Sequence, residues 1–578
     1  MKLTYSVLAR IGPALIIALF ARPTFPAERA DLVLYNAKVI TVDKRFAVQS
    51  AVAIKGGKIL AVGGPTLVKN YQSARTIDLH GQTLMPGFID AHVHLFGLSD
   101  RQIEPEKAAS IADLQAMLAS KAKKLGPGEW ITGYGWDEAH FAEKRVPSRA
   151  DLDRAAPLNP VVLTRAGSHS VVGNSAAFKL AGINAATGEP TGGVIERAAG
   201  GEPSGIIRER NDLLTSLVPR APFDEMKRSY LKSLRALLAL GITSYMEART
   251  NIDDEPVGKG GLAPGAAAAP SLVPPHSWKE MRSLYSTDGD RLPRATLYID
   301  YPGAERLKAF PYHTGYGNDR VKLGPIGESP YDGGFTGPTA LTKEDYKGQP
   351  GFRGRAFMTP DAASEMVATS ASLGWQLGIH AIGDAAIETM SGIYHNVLIS
   401  HPRKDHRWFL AHFTMLPSEA TMDMLAHDGV WATAQPNFLY NLEGRYEALL
   451  DGKRLEHINP VATPLKHGIK LAFSSDNLPI GPMVGLYVAI SRSGSDGRIF
   501  GLEEAVGREE AIRLYTIEAA KLAWDETKKG SIEPGKFADL IVLDHDLLTV
   551  PVRDILNTKI VLTMVGGKIV YEQQPSTD

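Results

Sequence analysis

The sequence predicts an α/β protein in which a (β/α)₈ barrel is joined to a smaller β domain. Three observations support this prediction. The chain has 578 residues, which exceeds the usual size of a single hydrophobic core. Its two ends are rich in short strands, whereas its middle alternates helical stretches with short apolar runs. That alternation is typical of parallel βα units.

Short strands joined by glycine turns make up both ends of the chain. The apolar or alternating segments are residues 31–42, 51–54, 58–62, 76–79, 538–544 and 560–571. Turns are marked by the pairs Gly56-Gly57 and Gly566-Gly567, among others. We therefore predict one small β domain assembled from residues 28–83 and 530–578.

The middle of the chain repeats a helix followed by a strand. Helical stretches and the strands after them are residues 360–373 and 375–380, 417–427 and 430–435, and 464–467 and 469–475. About eight such units, with right-handed crossovers, fit a barrel domain over residues 84–529. Residues 251–277 include the Gly/Ala/Pro-rich stretch GKGGLAPGAAAAPSLVPP, which predicts a mobile loop near the barrel mouth.

Charge and cysteine content restrict the partners. The 63 Lys and Arg residues balance the 64 Asp and Glu residues, so no field of one sign attracts nucleic acid or an anionic membrane. A small-molecule substrate is favoured. Because the chain has no cysteine, a metal would be held by His, Asp, Glu or a modified Lys.

The N-terminus has the layout of a secretory signal. Lys2 and Arg10 precede an apolar run over residues 11–21, which is too short to span a bilayer as a stable helix. We predict a signal peptide over residues 1–27, with cleavage after Ala21 or Ala27, and a periplasmic or secreted mature chain without a membrane span. The alternative is a buried N-terminal helix.

Four histidines and one aspartate stand at the ends of apolar strands. His92 and His94 lie in MPGFIDAHVH, where residues two apart point the same way along a strand. His380, His412 and Asp476 each end an apolar run, at the face where barrel enzymes build their sites. A single histidine at such a place is more often a hydrogen-bonded core residue. Five residues placed by the same rule instead predict a divalent metal site.

Several longer segments carry a family resemblance. They are LMPGFIDAHVHL, WITGYGWDE, RAGSHSVVGNSAA, GITSYMEA, HAIGD, AFSSDNLP, LYTIEAAKLA and GSIEPGKFADLIVLD. In these the chain resembles the amidohydrolase superfamily of metal-dependent hydrolases, in particular the amidohydrolase family 3 branch that contains N-substituted formamide deformylase. The resemblance runs from about residue 31 to 571. It implies a distorted TIM barrel with a β-sandwich formed from both chain ends.

The resemblance also implies roles for individual residues. His92 and His94 match the ligands of the first strand, and His380 and His412 those of the fifth and sixth strands. Asp476 matches the eighth-strand carboxylate, which binds metal and takes a proton from water. Lys322 matches a lysine that bridges two metals when carboxylated, although a solvated surface lysine is the alternative.

The chain departs from the family pattern at two places, and further residues have weaker signals. Ile326-Gly327 stands where relatives have Asp-Gly, and Leu410-Ala411 precedes His412 where an acidic residue is frequent. His169 and Asn174 match a segment near the site, and His169 is either a catalytic residue or a loop cap. Glu247 either faces the pocket or forms a salt bridge. A structural or solvated role, rather than metal binding, is expected for His80, His140, His395, His406, His467 and His545.

The expected chemistry is metal-assisted hydrolysis of a carbon–nitrogen bond other than a peptide bond. One or two Zn²⁺ ions suit these ligands, with Mn²⁺ or Fe²⁺ as alternatives. Asp476 is the predicted base, and His169 is predicted to stabilise the oxyanion. Two alternatives remain open: an esterase, lactonase or deaminase on the same barrel, or a non-catalytic binding or regulatory protein. A homo-oligomer is compatible with this architecture.

Overall fold

The computed structural model describes residues 28–95, 100–166, 169–219, 221, 223–253 and 276–574. The predicted signal peptide over residues 1–27 and most of the predicted loop 251–277 lie outside these ranges. Within them, no helix is both long and apolar enough to cross a membrane.

Eight parallel strands, here called central strands one to eight in chain order, form the middle of the molecule. They are Phe88–Val93, Ile242–Asn251, Arg294–Ile299, Val321–Ile326, Gly378–Ala381, Phe409–His412, Trp431–Ala434 and Lys470–Phe473. Most of their residues are buried on both faces, as expected for parallel strands covered by helices. The short strand His276–Ser277 pairs with the end of strand two.

The central strands pair in chain order in two groups of four, strands one to four and strands five to eight. Bridges Ile326–Leu377 and Val93–Asp476 connect the groups on both sides. The α/β fold class is confirmed. Closure of the eight strands into a barrel stays a prediction that the two bridges support.

The helices of the middle region pack apolar stripes against the strands. Phe223–Ala239 buries Met226, Tyr230, Leu234, Leu237 and Leu238 at helical spacing. The others are Trp278–Asp288, Ala304–Ala309, Pro360–Ser372, Asp384–Ser400, Glu419–Asp428, Asn437–Leu449, Gly452–Glu456, Ala462–Lys466, Pro482–Ser491, Arg508–Leu514 and Ile517–Leu522. Short 3₁₀ helices are Gly289–Arg291, Leu502–Glu504 and Val552–Asn557.

The chain ends form two further sheets, the first from N-terminal strands alone and the second from strands of both ends. One contains Glu28–Tyr35, Ala51–Lys55, Lys58–Gly63 and Tyr71–Asp78, with the helix Leu67–Asn70 beside it. The other contains Lys38–Ile40, Val48–Gln49, Thr83–Pro86, Leu540–Leu543, Ile560–Val565 and Lys568–Glu572. A shared hydrophobic cluster, including Leu34, Val52, Leu540 and Met564, joins them. The domain boundaries and the β-sandwich stay predictions, and Thr83–Pro86 crosses the predicted boundary at residue 83.

A separate sheet is inserted in the chain between central strands one and two, and the sequence did not predict it as a separate unit. Its strands are Gln102–Ile103, Ile131–Trp136, Val161–Arg165, Ser170–Gly173, Val194–Arg197 and Pro203–Arg208. Its helices are Pro105–Lys107, Ile111–Leu125, Arg149–Ala155, Ser175–Ala181 and Asp212–Thr215. Two hydrophobic clusters stabilise this insert, and one of them also contains Met226 of the helix Phe223–Ala239.

Candidate metal centre

The five residues at the strand ends come together at the carboxyl side of the central strands. The ring centroids of His92 and His412 are 4.7 Å apart, and those of His380 and His412 are 4.4 Å apart. His94 Nε2 lies 3.6 Å from Asp476 Oδ1. The backbone N–H of Asp476 donates to His92 O at 2.8 Å, which ties the segment after strand eight to strand one.

Glu328, which the sequence analysis did not single out, lies at the centre of this cluster. It follows central strand four by two residues. Its Oε1 is 2.7 Å from His380 Nδ1 and 2.9 Å from His412 Nε2, and its Oε2 is 3.3 Å from His94 Nε2. The departure at Ile326-Gly327 was the available signal that this segment differs from the family pattern. We call His92, His94, Glu328, His380, His412 and Asp476 the metal-centre residues.

The charges of the cluster depend on Glu328. Burial works to raise the pKa of Glu328, but hydrogen bonds from His380, His412 and His94 hold it well below its usual value. Burial alone would lower the pKa of His94, yet its contacts with Glu328 and Asp476 raise it to about 9. Burial, with repulsion from His412, lowers the pKa of His380 to about 4. Glu328 therefore stays a carboxylate and His380 stays a neutral imidazole, and these are the forms in which both side chains bind a cation.

The donor atoms fit a divalent cation. Among the described residues, the buried atoms Nδ1 and Nε2 of His92, Nε2 of His380 and Oδ1 of Asp476 have no hydrogen-bond partner. Such atoms are costly unless something binds them. Ligand atoms lie within 4.8 Å of one another in two sets: His92, Glu328 and His412, and His92, His94 and Asp476. Imidazole nitrogens and carboxylate oxygens in this number suit zinc.

Outer hydrogen bonds orient these side chains. His412 Nδ1 is 3.1 Å from Gln435 Oε1, and Gln435 donates to Ser474 Oγ at 2.9 Å. Asp90 accepts from the backbone N–H of Ser475 at 3.0 Å and of His92 at 3.3 Å. Partners of this kind fix the tautomer and ring orientation of metal-ligating histidines.

Lys322 does not belong to the cluster, so the prediction that it bridges two metals is wrong for this structure. It is the second residue of central strand four, and Glu328 stands six residues further on, a span of about 20 Å in extended chain. Its Nζ is 2.7 Å from Asp525 Oδ1 and donates to Ala523 O. Burial lowers the pKa of Lys322 to about 8, against the attraction of Asp525. The alternative of a solvated surface lysine also fails, because the side chain is only 13% exposed.

Replacing Lys322 with Met is expected to destabilise the fold without touching the metal centre. Asp525 would keep Lys529, whose Nζ lies 3.0 Å away, so the loss of unfolding free energy should be about 2 kcal/mol, less than for a fully unpaired buried charge. Urea unfolding and metal analysis of the same preparation measure both effects. Loss of metal with unchanged stability would restore the bridging role.

Of the remaining candidate residues, His169 and Glu247 lie near the cluster and the others have structural roles or lie away from it. His169 lines the cavity above the cluster, and its Nδ1 is 3.0 Å from Glu209 Oε2. Glu247 is buried at strand two, where it accepts from the backbone N–H of Leu95, and burial raises its pKa to about 8. Asn174 instead caps the helix Ser175–Ala181, and so it is structural. Away from the cluster, His395, His467 and His545 pair with Asp428, Asp423 and Asp544, and His406 contacts Asp428 O.

A cavity of about 780 Å³, counting its part open to solvent, lies over the metal-centre residues. Beside them its wall includes the apolar side chains of Phe335, Phe357, Phe438, Leu442 and Leu478. Arg249, also at the wall, is paired with Asp300 at 2.8 Å. The cavity therefore combines a polar end at the cluster with an apolar remainder.

Comparison with known proteins decides the family. The model of the amidohydrolase family matches residues 75–571. The chain belongs to the amidohydrolase family. The resemblance seen in the sequence is thereby confirmed.

Relatives of this amidohydrolase cover nearly its whole length. It is 29% identical to N-substituted formamide deformylase of Arthrobacter pascens, over 95% of this chain and 100% of that protein. It is 28% identical to the putative amidohydrolase YtcJ of Bacillus subtilis, over 90% and 96%. It is also 27% identical to the protein LONG AFTER FAR-RED 3 of Arabidopsis thaliana, over 94% and 92%.

Solved structures of similar fold support the architecture of this amidohydrolase. An uncharacterized metal-dependent hydrolase from Pyrococcus horikoshii superposes with a TM-score of 0.69 at 21% identity, covering 90% of this chain and 99% of that one. One from Pyrococcus furiosus gives 0.65 at 22% identity, covering 90% and 100%. At this identity the likeness concerns the fold alone.

Proposed function

We propose that this protein is an exported metal-dependent amidohydrolase that hydrolyses a non-peptide carbon–nitrogen bond, in an amide, N-formyl or N-acyl compound. The observation that carries the proposal is the gathering of four histidines, Asp476 and Glu328 at one end of the central strands, beneath a cavity. Membership of the amidohydrolase family and the deformylase relative support the reaction class.

The metal-centre residues would hold one or two divalent cations, with zinc the first choice and Mn²⁺ or Fe²⁺ as alternatives. When bound, zinc supplies Lewis acidity that lowers the pKa of water from about 16 to about 7. Glu328 takes the place that we predicted for a carboxylated Lys322, because it brings a negative carboxylate to the same group of histidines.

Proton transfer in this proposal depends on Asp476. Water adds to the carbonyl carbon, the carbon–nitrogen bond breaks, and a carboxylic acid and an amine leave. Asp476 takes a proton from the water and passes it to the departing nitrogen. Burial raises the pKa of Asp476 above its usual value, against attraction from His94 and His412. His169 is suited to donate to the carbonyl oxygen as negative charge develops there.

The cavity wall favours a neutral amide with an apolar substituent, and a pair of substrates tests this. N-Butylformamide has three more methylene groups than N-methylformamide. At about 0.8 kcal/mol for each buried methylene, kcat/KM should rise roughly 30-fold or more from methyl to butyl. Equal values for the two compounds would mean that the apolar wall does not bind the substituent.

A product screen tests the reaction class. The protein is incubated with N-formyl amines, N-acyl amines, esters, lactones and aminated heterocycles, and the products are identified. An amine with formate or another carboxylic acid supports the proposal. Alcohol alone would indicate an esterase or lactonase, ammonia from a ring would indicate a deaminase, and no product would favour a binding or regulatory protein.

Two further features of the protein are proposed, its domain architecture and its export. We infer that the central strands close into a distorted (β/α)₈ barrel within residues 84–529, and that residues 28–83 and 530–578 form a β-sandwich. Export rests on the sequence of residues 1–27 alone. N-terminal sequencing of protein from a periplasmic fraction should begin after Ala21 or Ala27, whereas an intact Met1 would contradict export.

A further inference from the structure

The strand register of the inserted sheet places Glu209 beside His169, which lies at the cavity wall. His169 immediately precedes the strand Ser170–Gly173, and Glu209 immediately follows the strand Pro203–Arg208. These strands are antiparallel, and Ser170 is paired with Arg208. The backbone N–H of Glu209 continues the ladder by donating to His169 O at 2.9 Å. The antiparallel register of these two strands therefore places the His169 and Glu209 side chains next to each other.

Both oxygens of the Glu209 carboxylate are engaged. Oε2 lies 3.0 Å from His169 Nδ1, and Oε1 accepts from the Thr339 hydroxyl. The Glu209 side chain is only 1% exposed, whereas that of His169 is 16% exposed and borders the cavity. A carboxylate at Nδ1 requires a proton on that nitrogen. Nε2 is then the ring nitrogen left for a ligand.

Glycines of the loop after central strand four pack directly on this pair. A Cβ atom at Gly334 would lie 2.6 Å from His169 Nε2. One at Gly337 would lie 2.4 Å from His169 Cβ and 2.6 Å from Glu209 Oε1. The loop therefore approaches so closely that no side chain fits, and the pair is held between the inserted sheet and the segment that carries Glu328.

We infer that Glu209 is a positioning residue that orients His169 so that its Nε2–H donates to the carbonyl oxygen of the substrate amide. This inference rests on the proposed function. In it, Nδ1–H is held by Glu209 and Nε2–H faces the oxygen on which charge develops. Burial works to lower the pKa of His169, but attraction to Glu209 and the hydrogen bond between them raise it, in agreement with a ring that donates from both nitrogens.

A double-mutant cycle separates this role from a structural one. Glu209→Gln is expected to lower kcat about 100-fold, the scale for losing one well-placed donor to an oxyanion, with KM and metal content nearly unchanged. His169→Ala should cost at least as much. In the His169→Ala background, Glu209→Gln should cost less than about 3-fold more, because the two residues act as one unit. Asp153→Asn, which removes a carboxylate that accepts from Ser175 in the insert, is the matched control and should keep wild-type kcat.

A second readout does not depend on turnover. In protein with ¹⁵N-labelled histidine, the His169 ring signals, assigned from His169→Ala, should show a protonated Nδ1 in a strong hydrogen bond that Glu209→Gln weakens. Unchanged His169 signals in Glu209→Gln would overturn the inference. The inference would also be overturned if the double variant lost as much kcat as the product of the losses in Glu209→Gln and His169→Ala. If wild-type protein cleaves no amide but the signals shift as expected, the proposed function fails while the positioning role stands.

Discussion

Replacing Asp476 with Asn is expected to lower kcat for amide hydrolysis by about 1,000-fold or more. Asn cannot accept the proton of water, and general-base catalysis typically contributes about 10²–10⁴-fold. The side-chain amide of Asn has nearly the size and shape of the Asp carboxylate. The four histidines and Glu328 remain as possible metal ligands. Metal content should therefore stay close to that of the wild type. Steady-state kinetics and elemental analysis of the same preparation provide the two numbers.

The control for this variant is Asp423→Asn. Asp423 is 71% exposed and pairs with His467 on an outer helix, so the change removes the same charge far from the cavity. Wild-type kcat is expected for it. Retained activity in Asp476→Asn would reject Asp476 as the base, and loss of most of the metal would show that its role is chiefly that of a ligand.

Glu328→Gln is expected to weaken metal binding by at least about 100-fold, more than the usual effect of changing an outer partner of a ligand. Glu328 contacts His94, His380 and His412 within 3.3 Å. Gln retains the volume of the side chain but not the negative charge that a cation needs. Competition with a chelator of known affinity measures the loss, and activity should fall in proportion to bound metal.

Lys322→Met is the matched control for Glu328→Gln, because it removes a charged residue of the same segment at the other end of the strand. Its metal affinity should equal that of the wild type. The opposite pattern, with metal lost in Lys322→Met and kept in Glu328→Gln, would contradict the role assigned to Glu328 and return the bridging role to the lysine.

The strand-end residues could be predicted from the sequence because local rules govern them. His92 and His94 share a face by strand alternation, and His380, His412 and Asp476 follow apolar runs whose ends lie at one side of a parallel sheet. The structure brings all five within one cluster. Their roles as ligands stay predictions until a metal is measured.

Other parts of the site could not be predicted, for physical reasons. Glu328 lies beyond the end of its strand, where no periodicity relates chain position to side-chain direction. Lys322 was assigned by family position, but its place near the start of the strand puts it at the opposite end from the cavity. The pairing of His169 with Glu209 depends on antiparallel register between strands 30 residues apart, which the sequence alone does not fix.

Chelation followed by remetallation, with hydrolysis of an N-formyl amine followed throughout, tests the central claim most directly. We expect purified protein to contain one or two equivalents of zinc or a similar divalent metal, to lose amide cleavage as the metal is removed, and to recover it when the metal is returned. Cleavage that survives complete removal of metal, or a protein that binds no metal after remetallation, would contradict the assignment of this cluster as a catalytic metal centre.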